Sequence, residues 1–277
     1  MTLPQKEILF RITSVLILLA CFLSCKKEST NNNKVVIPPT DTTKTVKPVY
    51  ALVWSDEFDG TSVDASKWTF ETGNLNVNAE KEYYQAQNAA VSNGNLVITA
   101  KKELVGGQPY TSARMNTLGK FSQTYGRIEA RIKLPMGQGM WPAFWMLGTN
   151  INTVSWPQCG ELDIMEHINA DNTIYGTMHW NNNGHVQYGS TTTSTPAEYH
   201  IYAIEWDANE IRWYVDNTLY QTGNIQNNIN NTGAFHRPFF IVLNLAVAGS
   251  FPGATVDESL LPESMYVDYV RVYKQTN

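Results

Sequence analysis

Trp156-Pro157-Gln158-Cys159-Gly160-Glu161-Leu162-Asp163-Ile164-Met165-Glu166-His167 holds three carboxylates within six residues, separated by Leu, Ile and Met. A solvated acidic surface would not be interleaved with large apolar side chains. The stretch reads as a strand, where successive side chains point to opposite faces. Glu161 and Asp163 then share one face, and Leu162 and Ile164 the other. Strict alternation would send Glu166 to the apolar face, where an ionised carboxylate is costly. One extra residue at Ile164-Met165, a β-bulge, returns Glu166 to the face of the other two acids. Bulges re-aim side chains in this way beside active sites. A row of acids on one strand face suits retaining glycoside hydrolysis, which needs two carboxyl groups about 5–5.5 Å apart. A middle acid, Asp163, would hold a proton or hydrogen bond and help keep the outer two pKa values apart.

The flanking segments are β-rich runs with turn signals between them. Ile128, Ala130, Ile132 and Leu134 alternate with Arg127, Glu129, Arg131 and Lys133, the pattern of a half-buried strand. Asn95 to Lys101 is a second strand. His200 to Trp206 and Glu210 to Asp216 form a hairpin across Asp207-Ala208-Asn209. Phe239 to Val247 and Met265 to Tyr273 are nearly all apolar or aromatic, as for strands buried on both faces. Long helical periods and internal repeats are absent. Many strands at this spacing indicate an all-β sandwich or barrel.

Gly160-Glu161-Leu162-Asp163-Ile164-Met165-Glu166 resembles the signature of glycoside hydrolase family 16 in its bulged form E-x-D-x-x-E, typical of the laminarinase-like (endo-1,3-β-glucanase) branch. Gly137-Gln138-Gly139-Met140-Trp141-Pro142-Ala143-Phe144-Trp145-Met146-Leu147-Gly148 is similar to a second family segment, and the resemblance runs from about Trp54 to Tyr273. It implies a β-jelly-roll sandwich, concanavalin A-like, of two curved antiparallel sheets with a substrate cleft on the concave face. It implies Glu161 as nucleophile, Asp163 as assisting acid and Glu166 as general acid/base. Trp141 and Trp145, four apart on one strand face, read as sugar platforms, with Trp156 as a further candidate. Asn78, in Asn78-Ala79-Glu80-Lys81-Glu82-Tyr83-Tyr84, and Arg114, in Tyr110 to Arg114, match cleft positions of the family. His179, in Thr177-Met178-His179-Trp180, is a candidate substrate contact. His200, Glu205 and Trp206 match a family pattern read as structural.

No cofactor is required for catalysis in such an enzyme. The resemblance allows a structural calcium held by Glu57, the Gly94 carbonyl and Asp268, all oxygen donors as calcium prefers. The late segment Pro238 to Gly253 departs from the family pattern twice: Ala248 replaces a Gly and Phe251 a Trp, which bears on the cleft rim. The substrate expectation is β-1,3- or mixed β-1,3/1,4-glucan such as laminarin. The alternatives are an algal galactan of the agarose or carrageenan type, or a non-catalytic glucan-binding protein.

The chain has 277 residues, of which 16% are charged and 12% aromatic. The first 48 hold seven basic and three acidic residues, leaving 13 of the 20 basic and 22 of the 25 acidic ones, a net of −9. That balance argues against a nucleic-acid partner. The expected partner is a polysaccharide, and the expected state a monomer. Residues 1–25 read as a targeting segment: Lys6 and Arg11, then 13 largely apolar residues from Ile12 to Ser24. That run is shorter than the ~18 residues needed to span a bilayer. Phe22-Leu23-Ser24-Cys25 resembles a bacterial lipoprotein signal, with Cys25 the lipid-bearing residue. Cys21 fits the same pattern but would leave Phe22-Leu23 as an apolar stub. Residues 26–48 read as a flexible Thr/Asn/Pro tether, and 49–277 as the catalytic domain. This implies anchoring to the bacterial cell envelope, at the outer membrane on its periplasmic or surface-exposed side, touching the membrane through lipid alone. Cys159, the remaining thiol, reads as packing, and no disulfide framework is expected.

Overall fold

A computed structural model describes residues 48–277; the signal, Cys25 and most of the tether lie outside the described residues. The described chain forms two stacked sheets. The outer sheet runs, edge to edge, through Thr218–Asn224, Glu210–Val215, His200–Trp206, Gly126–Lys133, Glu263–Gln275, Asn95–Val105, Gln108–Ser112 and Glu82–Tyr84. Tyr50–Asp56 and Ala89–Ser92 add to it off this path. The inner sheet runs through His185–Thr193, Thr173–Asn181, Glu161–Glu166, Met140–Gly148, Phe239–Val247, Arg114–Asn116 and Thr69–Glu71. All strand pairs are antiparallel except the short pair Glu82–Tyr84 with Gln108–Ser112. The single α-helical turn among the described residues is Ile151–Val154. The jelly-roll expectation holds.

The strand Gly126–Lys133 shows why the sheets stack. Ile128, Ala130 and Ile132 are fully buried and face the inner sheet. Burying an Ile contributes roughly 1.5–3 kcal/mol. The charged partners of the alternation lie on the convex face, where Arg127 Nε reaches Glu129 at 2.7 Å and the Arg131 guanidinium lies 4.5 Å over the Tyr199 ring. Leu96, Ile98, Val267 and Val270 from the outer sheet meet Phe144, Met146, Leu162, Ile164 and Leu243 from the inner one in a single cluster.

Phe239–Val247 is buried along its whole length, as expected. Its odd-numbered residues enter the core, while Phe240 and Val242 pack with Leu147 and Cys159 under the 151–154 turn. Glu263–Gln275 is different. Met265, Val267 and Val272 are buried, but Tyr266, Asp268, Arg271 and Tyr273 are half exposed. This strand is covered on one face only. Its outward tyrosines lie on the convex face with cations over them, Lys133 on Tyr266 and Arg271 on Tyr269, and need no protein layer above.

Candidate active site

Glu161–Glu166 is held between Met140–Gly148 and Thr173–Asn181. Asp163 pairs with Trp145 and Met165 with Phe144, so Ile164 is the extra residue of a bulge. On the other side Asp163 pairs with Thr177 and Glu166 with Tyr175, again three steps against two. Leu162, Ile164 and Met165 are buried, and Glu161, Asp163 and Glu166 all line one open groove.

The groove extends to both sides of the acids. One side is lined by Arg114 and Trp145, the other by Trp156 and His179, and Asn78 and Trp141 border both. All six residues expected at the cleft are therefore brought to it. Their contacts differ from simple platforms. Trp141 Nε1 donates to Glu166 Oε1 at 2.8 Å. Trp145 Nε1 donates to Asn244 Oδ1 at 2.8 Å, and the Arg114 guanidinium lies 4.8 Å from the centre of its ring. Arg114 Nε lies 3.1 Å from a Glu71 carboxylate oxygen. Trp156 is the open aromatic, 44% exposed.

His179 Nε2 faces the acids, 3.0 Å from Asp163 Oδ2 and 3.8 Å from Glu161 Oε1. Its Nδ1 meets His185 Nε2 at 2.9 Å, and the His185 ring packs against Trp156. Glu80, His185, Gln187, Asn244 and Ser250 also line the groove and were not among the expected contacts. Asn244 carried a signal, a lone amide in an apolar strand. His185 carried none, because only the pairing of Thr173–Asn181 with His185–Thr193 brings it beside His179. Of the two departures noted above, Phe251 lies at this rim and Ala248 is buried. Phe251 packs edge-on against Trp141 and Tyr175. Ala248 has φ 58°, a left-handed conformation that costs a non-glycine residue roughly 1–2 kcal/mol.

Burial pushes all three carboxyls up to about 8. The Asp163 charge adds to the rise at Glu161 and Glu166, while His179 pulls both back. Arg114 also pulls Glu161 down, and the Trp141 N–H does so for Glu166. Between pH ~4, where such groups titrate unfolded, and about 8, the folded site binds more protons than the unfolded chain. Stability is therefore lost as pH rises through that window. Asp163→Asn removes one buried like charge. Its Tm is expected to match the parent near pH 4.5 and exceed it near pH 8, by about 2–4 °C per kcal/mol relieved. A Tm difference that does not change with pH would contradict this account of the cluster.

The residues expected to be structural are so. Trp206 Nε1 donates to the Phe235 carbonyl, and Glu205 pairs with Arg127 and Arg212. His200 joins Asp216 to Thr195. Cys159 is buried and its thiol is pushed up to about 11 by burial, so it is no nucleophile at neutral pH.

The register of the outer sheet brings the segments of Glu57 and Gly94 toward the bulge that holds Asp268. Both carboxylates are already neutralised there. Arg271 Nη2 lies 2.7 Å from Glu57 Oε2, and Arg131 Nη1 2.6 Å from Asp268 Oδ2. Donors so engaged do not fit a divalent cation without displacing both guanidinium groups. Among the described residues, the one cluster of three acid or imidazole groups within metal-ligand reach is Glu161, Asp163 and His179.

Comparison with known proteins agrees with this geometry. The family model for Glycosyl hydrolases family 16 matches residues 76–271. The chain is 40% identical over 246 residues to a beta-glucanase of Rhodothermus marinus, covering 82% of this chain and 86% of that one. It is 42% identical over 237 residues to the clotting factor G alpha subunit of Tachypleus tridentatus, covering 83% of this chain but only 35% of that one. The fold superposes with TM-score 0.77 and 43% identity on the laminarinase catalytic domain of Thermotoga petrophila RKU-1, covering 83% of this chain and all of that one. The chain belongs to glycosyl hydrolase family 16 and is a glycoside hydrolase.

Proposed function

We propose that this protein is a retaining endo-glycosidase that hydrolyses β-1,3- or mixed β-1,3/1,4-glucan by double displacement. The observation that carries the reading is the convergence of Glu161, Asp163 and Glu166, through one bulge, on the floor of a groove that continues to either side of them. A groove lined on both sides of the acids suits attack within a chain. Similarity to a beta-glucanase and a laminarinase supports the glucan.

In the first step the Glu161 carboxylate attacks the anomeric carbon, and Glu166 gives its proton to the departing glycosidic oxygen. The bond to the leaving sugar breaks, and a glycosyl ester on Glu161 remains. In the second step Glu166, now a carboxylate, takes a proton from water, which attacks the same carbon and releases Glu161. Two inversions retain the anomeric configuration. Arg114 and His179 favour the anion on Glu161. The Trp141 N–H supports the carboxylate that Glu166 becomes after giving up its proton. Asp163, between them and facing His179, keeps the outer pair from ionising together.

The reading is tested by incubating the protein with laminarin, lichenan, agarose and carrageenan and assaying reducing ends, with Glu161→Gln alongside. Release from laminarin that the substitution abolishes is the expected result. Release from a galactan alone would keep the mechanism and overturn the substrate. Laminarin bound without release would make the protein a binding module.

No metal enters either step. The Arg271–Glu57 and Arg131–Asp268 pairs occupy the donors that a structural calcium would use, so dialysis against EDTA is expected to leave Tm unchanged. A Tm that falls with EDTA and recovers with calcium would restore the ion. We also propose anchoring to the bacterial cell envelope through a lipid on Cys25, on the strength of residues 1–25. A mature N-terminus without a diacylglyceryl mass on Cys25 would overturn that assignment.

A further inference from the structure

A second groove lies on the opposite face of the cleft sheet. Thr173–Asn181 and His185–Thr193 pair with His179 against Gln187 and Met178 against Tyr188. His179 and Gln187 line the catalytic cleft; Met178 and Tyr188, one step along, line the other groove. His185–Thr193 is the outermost strand of the inner sheet, and Thr218–Asn224 the outermost of the outer sheet. The second groove opens between these two edges, closed at one end by the 226–236 segment.

Its chemistry is specific. Every lining residue is uncharged, although the chain as a whole is 16% charged. The floor includes Trp180, and Tyr188 and Ile229 stand exposed above it, at 48% and 44%. Thr222, Asn224 and Asn230 supply hydroxyl and amide groups at the rim. Flat apolar surface beside neutral donors and acceptors matches a sugar, with its C–H faces and equatorial hydroxyls, and offers nothing to a charged ligand.

The groove is also held in shape. Trp180 Nε1 donates to the Asn230 carbonyl at 2.8 Å, and Tyr188 Oη to the Thr222 carbonyl at 3.2 Å. Asn231 Nδ2 donates to the Asn181 carbonyl at 2.6 Å. A preformed surface loses little freedom when a ligand settles on it. It is continuous with the cleft through a single strand: His185 and Gln187 at the cleft and Tyr188 on the other face belong to the same edge. A polymer leaving the cleft past His185 need only round that edge to reach it.

We propose that this groove is a second binding site for the neutral glucan chain, outside the catalytic cleft. The proposal rests on the β-glucan reading above. Two sites on one polymer hold it more tightly than either alone. The gain falls on long or particulate substrate, not on short oligosaccharides.

The test uses the inactive Glu161→Gln protein and particulate linear β-1,3-glucan. Adding Tyr188→Ala, or separately Ile229→Ser, is expected to weaken retention about 3- to 10-fold, the range of one lost aromatic or apolar contact. Both side chains are exposed, and an unchanged Tm confirms that each variant folds. In the active protein, Tyr188→Ala is expected to cleave laminaritriose at the parental rate, because a trisaccharide in the cleft does not reach the groove. Unchanged retention in both variants would overturn the proposal. So would a trisaccharide rate that falls as far as the affinity for polymer. Glucan retained without any hydrolysis by the otherwise unmodified protein, yet released by Tyr188→Ala, would sink the enzymatic reading and keep the groove.

Discussion

Replacing Glu161 with Gln is expected to lower kcat/KM on laminarin by about 10⁴-fold or more, the scale seen when a covalent nucleophile is removed. The amide fills the same space but cannot form the glycosyl ester. The loss should appear in kcat with little change in binding, because Glu161 acts on the reacting carbon and the groove beyond it is untouched. The shorter variant Glu161→Gly adds a stricter check. It opens a hole on the face that the nucleophile uses, so azide can enter there in its place. One inversion instead of two then gives an α-glycosyl azide. Rescue with the β-azide would move the nucleophile to another residue. Failure of Glu161→Gln to reduce activity would remove it from the mechanism.

Glu166→Gln is expected to cost about 10²–10⁴-fold on natural glycosidic bonds, the usual worth of general acid catalysis. On aryl glycosides with acidic phenol leaving groups the first step should be nearly normal, because such groups depart without a proton. Glycosyl-enzyme should then accumulate and give a burst, since the base of the second step is also missing. Exogenous azide needs no base, so it should speed turnover and yield the β-azide. Equal losses on both substrate types would take the acid/base role away from Glu166. The basic limb of the parent's kcat/KM should fall above about pH 8, where the Glu166 proton is lost. The Trp141 N–H at 2.8 Å favours that loss, and burial beside Asp163 opposes it.

The site was more legible in the sequence than the surface around it. Glu166 had to return to the acid face or sit charged in the core, so the bulge followed from the cost of burying a carboxylate. The register slip at Ile164 bears this out. The alternation from Arg127 to Lys133 likewise announced one core face and one wet face. Met265 to Tyr273 misled because tyrosine reads as apolar. On the convex face the Tyr266 and Tyr269 rings lie under the Lys133 and Arg271 cations, so the strand needs no second layer. The ion pairs of Glu57 and Asp268 were not legible, because their partners Arg271 and Arg131 come from distant positions in the chain. His185 depends on pairing between edge strands, which local pattern does not encode. The choice of jelly roll among β-sandwiches rested on family resemblance, since periodicity is the same in all of them.

The central claim is double displacement through Glu161 with Glu166 as acid and base. Its most direct test is proton NMR of laminarin digestion, followed from the first minute, before the reducing ends mutarotate. The account predicts that the β-anomer of the new reducing end appears first and the α-anomer grows in later. Initial release of the α-anomer would mean a single inversion by water, and would contradict the assignment of Glu161 as nucleophile.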